Sequence, residues 1–359
     1  MSYTNGLDKP SDFFNTVLYT GNSGSGDNVV NVNFQPDFTW FKSRTQAYPS
    51  YLIDAVRGDE KYLNSSNTNA EASWGVDDVT WTSTGFTLNT TGGSGINEGG
   101  QGANNMVAWN WKAGTSFTND ASATGVGSID STGSVNTDAG FSIISYTGTG
   151  STGTVAHGLG AVPKMMIIKG RSFSDAWIVY HKNIGATKDL RLNLTNAAST
   201  NSGPFNNTEP TSSLFTVGSG TATNNGSATF IAYCFAEKQG YSKFGSYVGN
   251  GSASSGTFTY LGFKPSLIIL KRTDSTADWK MYDNKRNSGS ITNGNPNGRT
   301  LKPNSSAAEG NAELLDFLSN GFKHYNDNGT DNESGATYIF MAFAENPLVT
   351  STGVPATAR

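Results

Sequence analysis

The chain has 359 residues, 43 of them glycine, with a net charge of −4 and only 14% charged side chains. That composition excludes a charged coiled-coil rod and a solvating polyanionic chain. No cluster of Lys or Arg is dense enough to neutralise phosphates along a groove, so nucleic acid is not an expected partner.

The first twenty residues, MSYTNGLDKPSDFFNTVLYT, place Asp8, Lys9 and Asp12 where a secretory leader needs an unbroken apolar stretch. The expectation is a soluble protein made in the cytoplasm, with no signal peptide and no membrane insertion, since no run of about 18 apolar residues occurs. Pro10, Ser11 and Asp12 predict a short helical turn capped by Ser11.

Three segments then share one pattern. PDFTWFK at 36–42, PKMMIIK at 163–169 and PSLIILK at 265–271 each hold Pro and Lys six apart around an apolar run. Tyr-x-Gly stands upstream each time, at Tyr19 and Gly21, Tyr146 and Gly148, and Tyr247 and Gly249. Downstream, Trp177 and Trp279 recur at one spacing where the first copy has Ser50, and Asp54, His181 and Asp283 recur at another. Each copy closes on a long apolar strand, at 105–111, 229–237 and 337–345.

This periodicity predicts an all-β protein of three tandem antiparallel β-sandwich, jelly-roll-like repeats. The boundaries are 1–115, 140–239 and 240–347, with 116–139 a polar linker or hairpin and 348–359 an extended tail. In the second repeat, strands are expected at 141–147, 153–157, 164–170, 175–181, 190–194, 213–217 and 227–236. The unbroken runs at Met165 to Ile168 and Leu267 to Leu270 show no polar face, so both faces of those strands should be covered. One short helix is expected over 312–318, where apolar residues fall at helical spacing before Asn320 and Gly321.

The residues that carry chemistry are sparse. His157, His181 and His324 show no metal spacing to one another, and His181 occupies a position held by Asp54 and Asp283 in the other copies. Cys234 lies in an apolar strand, where a thiol behaves as a small hydrophobe and no internal disulfide can form. No G-x-S-x-G, H-E-x-x-H, Walker or dinucleotide signature is present. Asp59-Glu60 and Asp77-Asp78 read as solvated loop residues, because adjacent side chains on extended backbone point apart. The oxygen-rich stretch of Asn326, Asp327, Asn328, Asp331 and Glu333 reads either as a calcium loop or as a hairpin tip. Asp54 with Arg57 and Asp283 with Arg286 repeat an Asp-x-x-Arg spacing, read as a turn brace or a recognition pair. Trp109 and Trp111 share a strand face, as core or as a sugar platform. No catalytic, cofactor-binding or metal-binding residue is assigned.

The phrases GFSIISYTG at 140–148, HGLG at 157–160, PKMMIIK, Asp54-x-x-Arg57-Gly58, WNWKAG at 109–114, YCFAE at 233–237 and AENP at 344–347 together resemble a repeated domain of structural proteins of marine tailed bacteriophages. Asn110 stands where the second copy has Cys234, and no Arg follows His181. The resemblance implies a non-enzymatic virion component, such as a tail-fibre or receptor-binding protein. Its alternatives are a capsid-decorating protein, a host-glycan-binding module or a polysaccharide depolymerase. It also implies a homo-oligomer, with a trimer favoured, in contact with other virion proteins.

Overall fold

The computed structural model describes residues 6–74, 78–89, 95–98, 104–286, 298–311 and 315–355, and turns rich in Gly, Asn and Ser divide them into many short strands. The first group comprises β1 (Phe14–Thr20), β2 (Asn28–Asn31), β3 (Phe38–Ser43), β4 (Tyr51–Asp54), β5 (Gly58–Leu63), β6 (Ala72–Ser73), β7 (Val79–Thr82), β8 (Gly85–Leu88) and β9 (Asn105–Trp111). The middle group runs β10 (Thr115–Asn119), β11 (Ser131–Asn136), β12 (Phe141–Thr147), β13 (Gly153–Ala156), β14 (Pro163–Gly170), β15 (Ile178–His181), β16 (Lys188–Arg191), β17 (Ser199–Thr200), β18 (Leu214–Val217) and β19 (Thr229–Ala236). The last group holds β20 (Ser242–Val248), β21 (Phe258–Tyr260), β22 (Phe263–Arg272), β23 (Lys280–Asp283), β24 (Arg299–Thr300), β25 (Gly310–Asn311), β26 (Leu315–Leu318), β27 (Gly321–His324) and β28 (Thr337–Pro347).

Each group's closing strand becomes the centre of its sheet. The orders β1-β9-β3-β4, β12-β19-β14-β15 and β20-β28-β22-β23 coincide, and smaller sheets β2-β8-β7, β13-β18 and β21-β27-β26 accompany them. The registers coincide as well. Trp109, Tyr233 and Met341 sit opposite Trp40, Ile167 and Ile269, each four residues past its proline. Pro163 opens β14 and Pro265 marks a register shift in β22, places where a missing N–H disrupts the ladder least.

The apolar runs bury both faces of the large sheets, as their lack of a polar face predicts. Met166 and Ile168 join Phe215 and Val217 beneath the small sheet of the middle group, while their neighbours Met165 and Ile167 turn the other way. There they meet Trp40, Trp109 and Trp111 of the first group and Ile269, Met341 and Phe343 of the last in one shared core. Rings cross between groups, with Phe38 4.4 Å from Tyr233 and Phe14 5.0 Å from Phe343. Period-two alternation thus divides every central strand between a local core and a common one.

The structure gives the Tyr-x-Gly pattern its reason. The hydroxyls of Tyr19, Tyr146 and Tyr247 donate to the carbonyls of Ile96, Thr223 and Asp331 at 2.8, 2.6 and 2.7 Å. The glycine two residues on lets that loop close against the strand, since a Cβ at Gly148 would lie 2.3 Å from the Asn225 carbonyl oxygen. Gly148→Ala is therefore expected to destabilise the fold by about 1–3 kcal/mol, the range for overpacking. An unchanged urea midpoint would show that the loop yields freely.

Three expectations are corrected. Leu315–Leu318 is strand β26, paired with β27, and not helix; its inward residues are Leu315 and Phe317. Residues 312–314 of that expected helix lie outside the described residues. The four-residue helices present are α1 (Ala121–Thr124) and α2 (Thr221–Asn224). The turn at Pro10–Asp12 is a 3-10 helix with Ser11 inside it and no side-chain cap. Residues 348–355 are not extended: Val349 bridges Pro355 and the Ser351 N–H donates to Asp8 at 2.7 Å, while 356–359 lie outside the described residues. The polar stretch 116–139 takes the hairpin form, β10 and β11 joining β12 at the sheet edge. Among the described residues, no helix is long and apolar enough to cross a membrane.

Candidate functional site

The repeated Asp residues end β4 and β23, the Arg residues follow in the turn, and both lie where two groups meet. At the first junction the Asp54 carboxylate accepts from the backbone N–H of Val56 and Arg57, closing the turn. It also accepts from Arg57 Nε at 2.5 Å and from the hydroxyl of Tyr233, a middle-group residue, at 2.7 Å. Arg57 Nη2 donates to the Leu52 carbonyl at 2.7 Å, and its charge reaches Glu71 at 3.3 Å. Glu71 in turn receives both arms of Arg171 at 2.9 and 3.0 Å. Burial opposes the charge on Arg57, but Asp54, Tyr233 and Glu71 outweigh it and hold the guanidinium above its ordinary pKa.

The junction between the first and last groups repeats this arrangement. Asp283 accepts from Arg286 Nε at 2.5 Å and from Trp109 Nε1 at 3.0 Å, and Glu309 receives both arms of Arg44 at 2.9 and 3.1 Å. Arg286 lies over the Trp109 ring at 5.5 Å. The Asp-x-x-Arg pairs thus serve as buried braces between groups, and both members of each pair have fully buried side chains.

At the third junction every charged member is exchanged together. His181 replaces the Asp, Ile184 the Arg, Ala198 the Glu, Thr273 the bridging Arg and Met341 the Tyr or Trp. The backbone survives the exchange: the Ala198 N–H donates to Thr273 at 2.9 Å, as Glu71 does to Arg171 and Glu309 to Arg44, both at 2.8 Å. His181 Nδ1 accepts from the Asn183 N–H at 3.2 Å, which leaves Nε2 to donate to the Phe340 carbonyl at 3.1 Å. A neutral imidazole therefore does what the carboxylates do, and burial pulls its pKa down to about 4. The missing Arg after His181 is part of this charge-free version.

The lysines that end the Pro-to-Lys runs work at the same junctions. Lys42 donates to Ser306 at 2.8 Å, Lys169 to Thr68 at 3.2 Å and Lys271 to Thr195 at 3.2 Å, in each case to a backbone carbonyl of another group. All three are at most 1% exposed, and burial lowers their pKa values to about 7, 8 and 8. The contacts run cyclically, first to last, middle to first, last to middle.

The remaining candidates do not converge. His157 is buried, its Nδ1 accepting from Leu159 and its Nε2 facing the Thr211 carbonyl, and burial pulls its pKa to about 4. Cys234 is fully buried, its thiol pushed up to about 12 by burial. Asp59 and Glu60 lie in strand β5 and not in a loop; Asp77 lies outside the described residues. In the 326–333 stretch, Asp331 pairs with Lys280 at 2.8 Å and Glu333 with Arg272, so its carboxylates face cations of the chain itself. No group of three or more His, Cys, Asp or Glu that could hold a metal occurs among the described residues. Trp109 and Trp111 are core and cannot stack on a sugar.

Two clefts open at the surface of the last group. One, of about 410 Å³, lies at the third junction between Asn183, Lys188, Thr273 and Asp274. The other, of about 520 Å³, is lined by Glu237, Gln239, Lys243 and Tyr260. Tyr260 is 52% exposed, and Lys243 Nζ sits 5.2 Å from its ring centroid. Sequence reasoning passed over this aromatic because a short edge strand carries no periodic signal.

No curated protein and no solved structure matches the chain. Residues 9–347, which span all three groups of strands, match the family described as "Domain of unknown function (DUF7483)", and the protein belongs to that family.

Proposed function

We propose that this chain is a non-enzymatic structural protein of a tailed-phage virion, displayed on the particle surface as a tail-fibre or receptor-binding component. In this reading it consists of three tandem jelly-roll-like sandwiches descended from one module, and it assembles as a homo-oligomer, a trimer favoured, against other virion proteins. The observation that carries it is the expenditure of buried charge: Asp54, Arg57, Asp283, Arg286 and three lysines all brace one group of strands on another. Such bracing suits a rigid exterior. The cleft beside Tyr260 offers an exposed ring with a cation, an amide and a carboxylate around it, a combination that suits a host surface glycan.

Mass spectrometry of purified particles from a phage encoding the chain, fractionated into tails and capsids, tests the reading. Recovery in the tail fraction, with Tyr260→Ala slowing adsorption to host cells roughly tenfold or more, a loss of about 1.4 kcal/mol or more, is the expected result. Absence from the particles overturns it. Capsid decoration is the second reading, favoured by the closure of three like-ordered sheets on one core, with no shaft among the described residues; recovery with capsids alone would select it.

A further inference from the structure

The interior of the last group differs chemically from its two counterparts. Where the first group buries Ile96 and Leu88, and the middle group Ile178, Val217 and Thr223, the last places Lys280, His324 and Asp331, all of them buried. Lys280 Nζ lies 2.8 Å from Asp331 Oδ1 and donates to Thr330 Oγ1 at 2.6 Å. The Tyr282 hydroxyl donates to Asp331 Oδ2. His324 packs against the rings of Tyr247 and Phe322 at 5.0 and 5.6 Å, and neither of its nitrogens has a hydrogen-bond partner. Both Asp331 and Lys280 are near enough to act on its charge.

An ammonium and a carboxylate enclosed by Phe, Tyr and Leu side chains are costly to bury even as a pair. Burial opposes the charge on Asp331, but the Lys280 ammonium outweighs it and holds the carboxyl below its ordinary range, so the pair rests ionic. Transfer of a proton from Nζ to the carboxylate then gives a neutral amine against a neutral acid, a state that a low-dielectric interior brings within reach. That is also the reactive form, held at contact distance and shielded from water, where orientation alone supplies a large rate advantage.

We propose that Lys280 and Asp331 condense spontaneously to an isopeptide bond. Nζ attacks Cγ, a Nζ–Cγ bond forms and the Cγ–Oδ1 bond breaks. Two of the three ammonium protons leave on Oδ1 as one molecule of water. No oxidant, reductant or cofactor is consumed. Oδ2 remains as the amide oxygen with the Tyr282 hydroxyl donating to it, which stabilises the charge that develops there during attack. His324, with both nitrogens unengaged, carries a proton from Nζ to the departing oxygen. The product removes two buried charges and ties β23 covalently to the loop before β28, in a chain that has no disulfide. The first and middle groups lack both partners and cannot form the link.

Intact mass and a tryptic map of the folded full chain test this. The expected wild-type mass is lower than the sequence by one water, with the Lys280 and Asp331 peptides recovered as one branched species. Lys280→Arg keeps the ion pair but presents no nucleophilic amine, so its full mass should return. Asp331→Asn should still condense, with ammonia lost in place of water. Separate peptides at full mass in the wild-type protein overturn the proposal, as does a water loss confined to one linear peptide, the mark of a succinimide at Asp331-Asn332. His324→Phe should slow bond formation on the order of a hundredfold; an unchanged rate removes the imidazole from the reaction.

Discussion

Asp54→Ala will destabilise the protein by about 3–5 kcal/mol, because it leaves the Arg57 guanidinium buried without its nearest counter-ion. Of its ion pairs Arg57 keeps only the longer one to Glu71 at 3.3 Å, beside the neutral Leu52 carbonyl at 2.7 Å, and the Tyr233 hydroxyl loses its acceptor. Asp283→Ala should behave alike, since Trp109 and Arg286 stand around it as Tyr233 and Arg57 stand around Asp54. The double variant Asp54→Ala/Arg57→Leu removes the orphaned charge and should recover much of the loss. Urea midpoints of the two single variants and the double decide the matter. If the double is as unstable as the sum of the singles, the pair does not act as a unit.

The second large effect is a stability maximum displaced to alkaline pH. His157, His181 and His324 are buried neutral, with pKa values pulled down to about 4 by burial. A base whose folded pKa lies below its unfolded value binds protons first in the unfolded chain. The stability from these imidazoles is complete above about pH 6.5 and is lost as pH falls toward 4, at roughly 3 kcal/mol for each fully buried ring. The same sign applies to Lys42, Lys169 and Lys271, depressed to about 7, 8 and 8. Their unfolded forms hold protons up to about pH 10.4, so stability should rise from pH 7 toward 10. Above that, burial raises the pKa values of Tyr19, Tyr146, Tyr233 and Tyr247, and ionising them favours the unfolded chain. Urea midpoints at pH 5, 7 and 9.5 should increase in that order. A flat profile between 7 and 9.5 would mean that the three lysines stay charged in the folded protein, held by the carbonyls they touch.

The sequence was most legible where a residue answers to its own strand. The seven strands expected in the middle group all occur, with ends within about three residues, because alternation and Gly/Asn turns are local signals. The helix expected over 312–318 failed for the opposite reason: a short apolar run fits either period, and pairing with β27 decides for strand. The repeated Tyr-x-Gly was visible as a spacing, but its cause was not, since each hydroxyl binds a carbonyl some 80 positions away. The Asp-x-x-Arg pair was visible too, whereas Tyr233 lies 179 positions from Asp54 and belongs to another group. Nothing local distinguishes Tyr233 from any other core tyrosine. His181 stands in the sequence only as a His where the other copies have Asp; its reason lies in Ile184 and the more distant Ala198, Thr273 and Met341, which are exchanged along with it.

Because Phe14 of β1 rests on Phe343 of β28, the common hydrophobic centre is assembled from opposite ends of the polypeptide. During synthesis, the first and middle sheets must wait with an uncovered apolar face until the closing strand has left the ribosome. Contacts so remote in sequence form slowly, and an exposed face of that kind invites aggregation in the interval. Excising any one group would make the exposure permanent, so each group depends on the other two to cover its inner face.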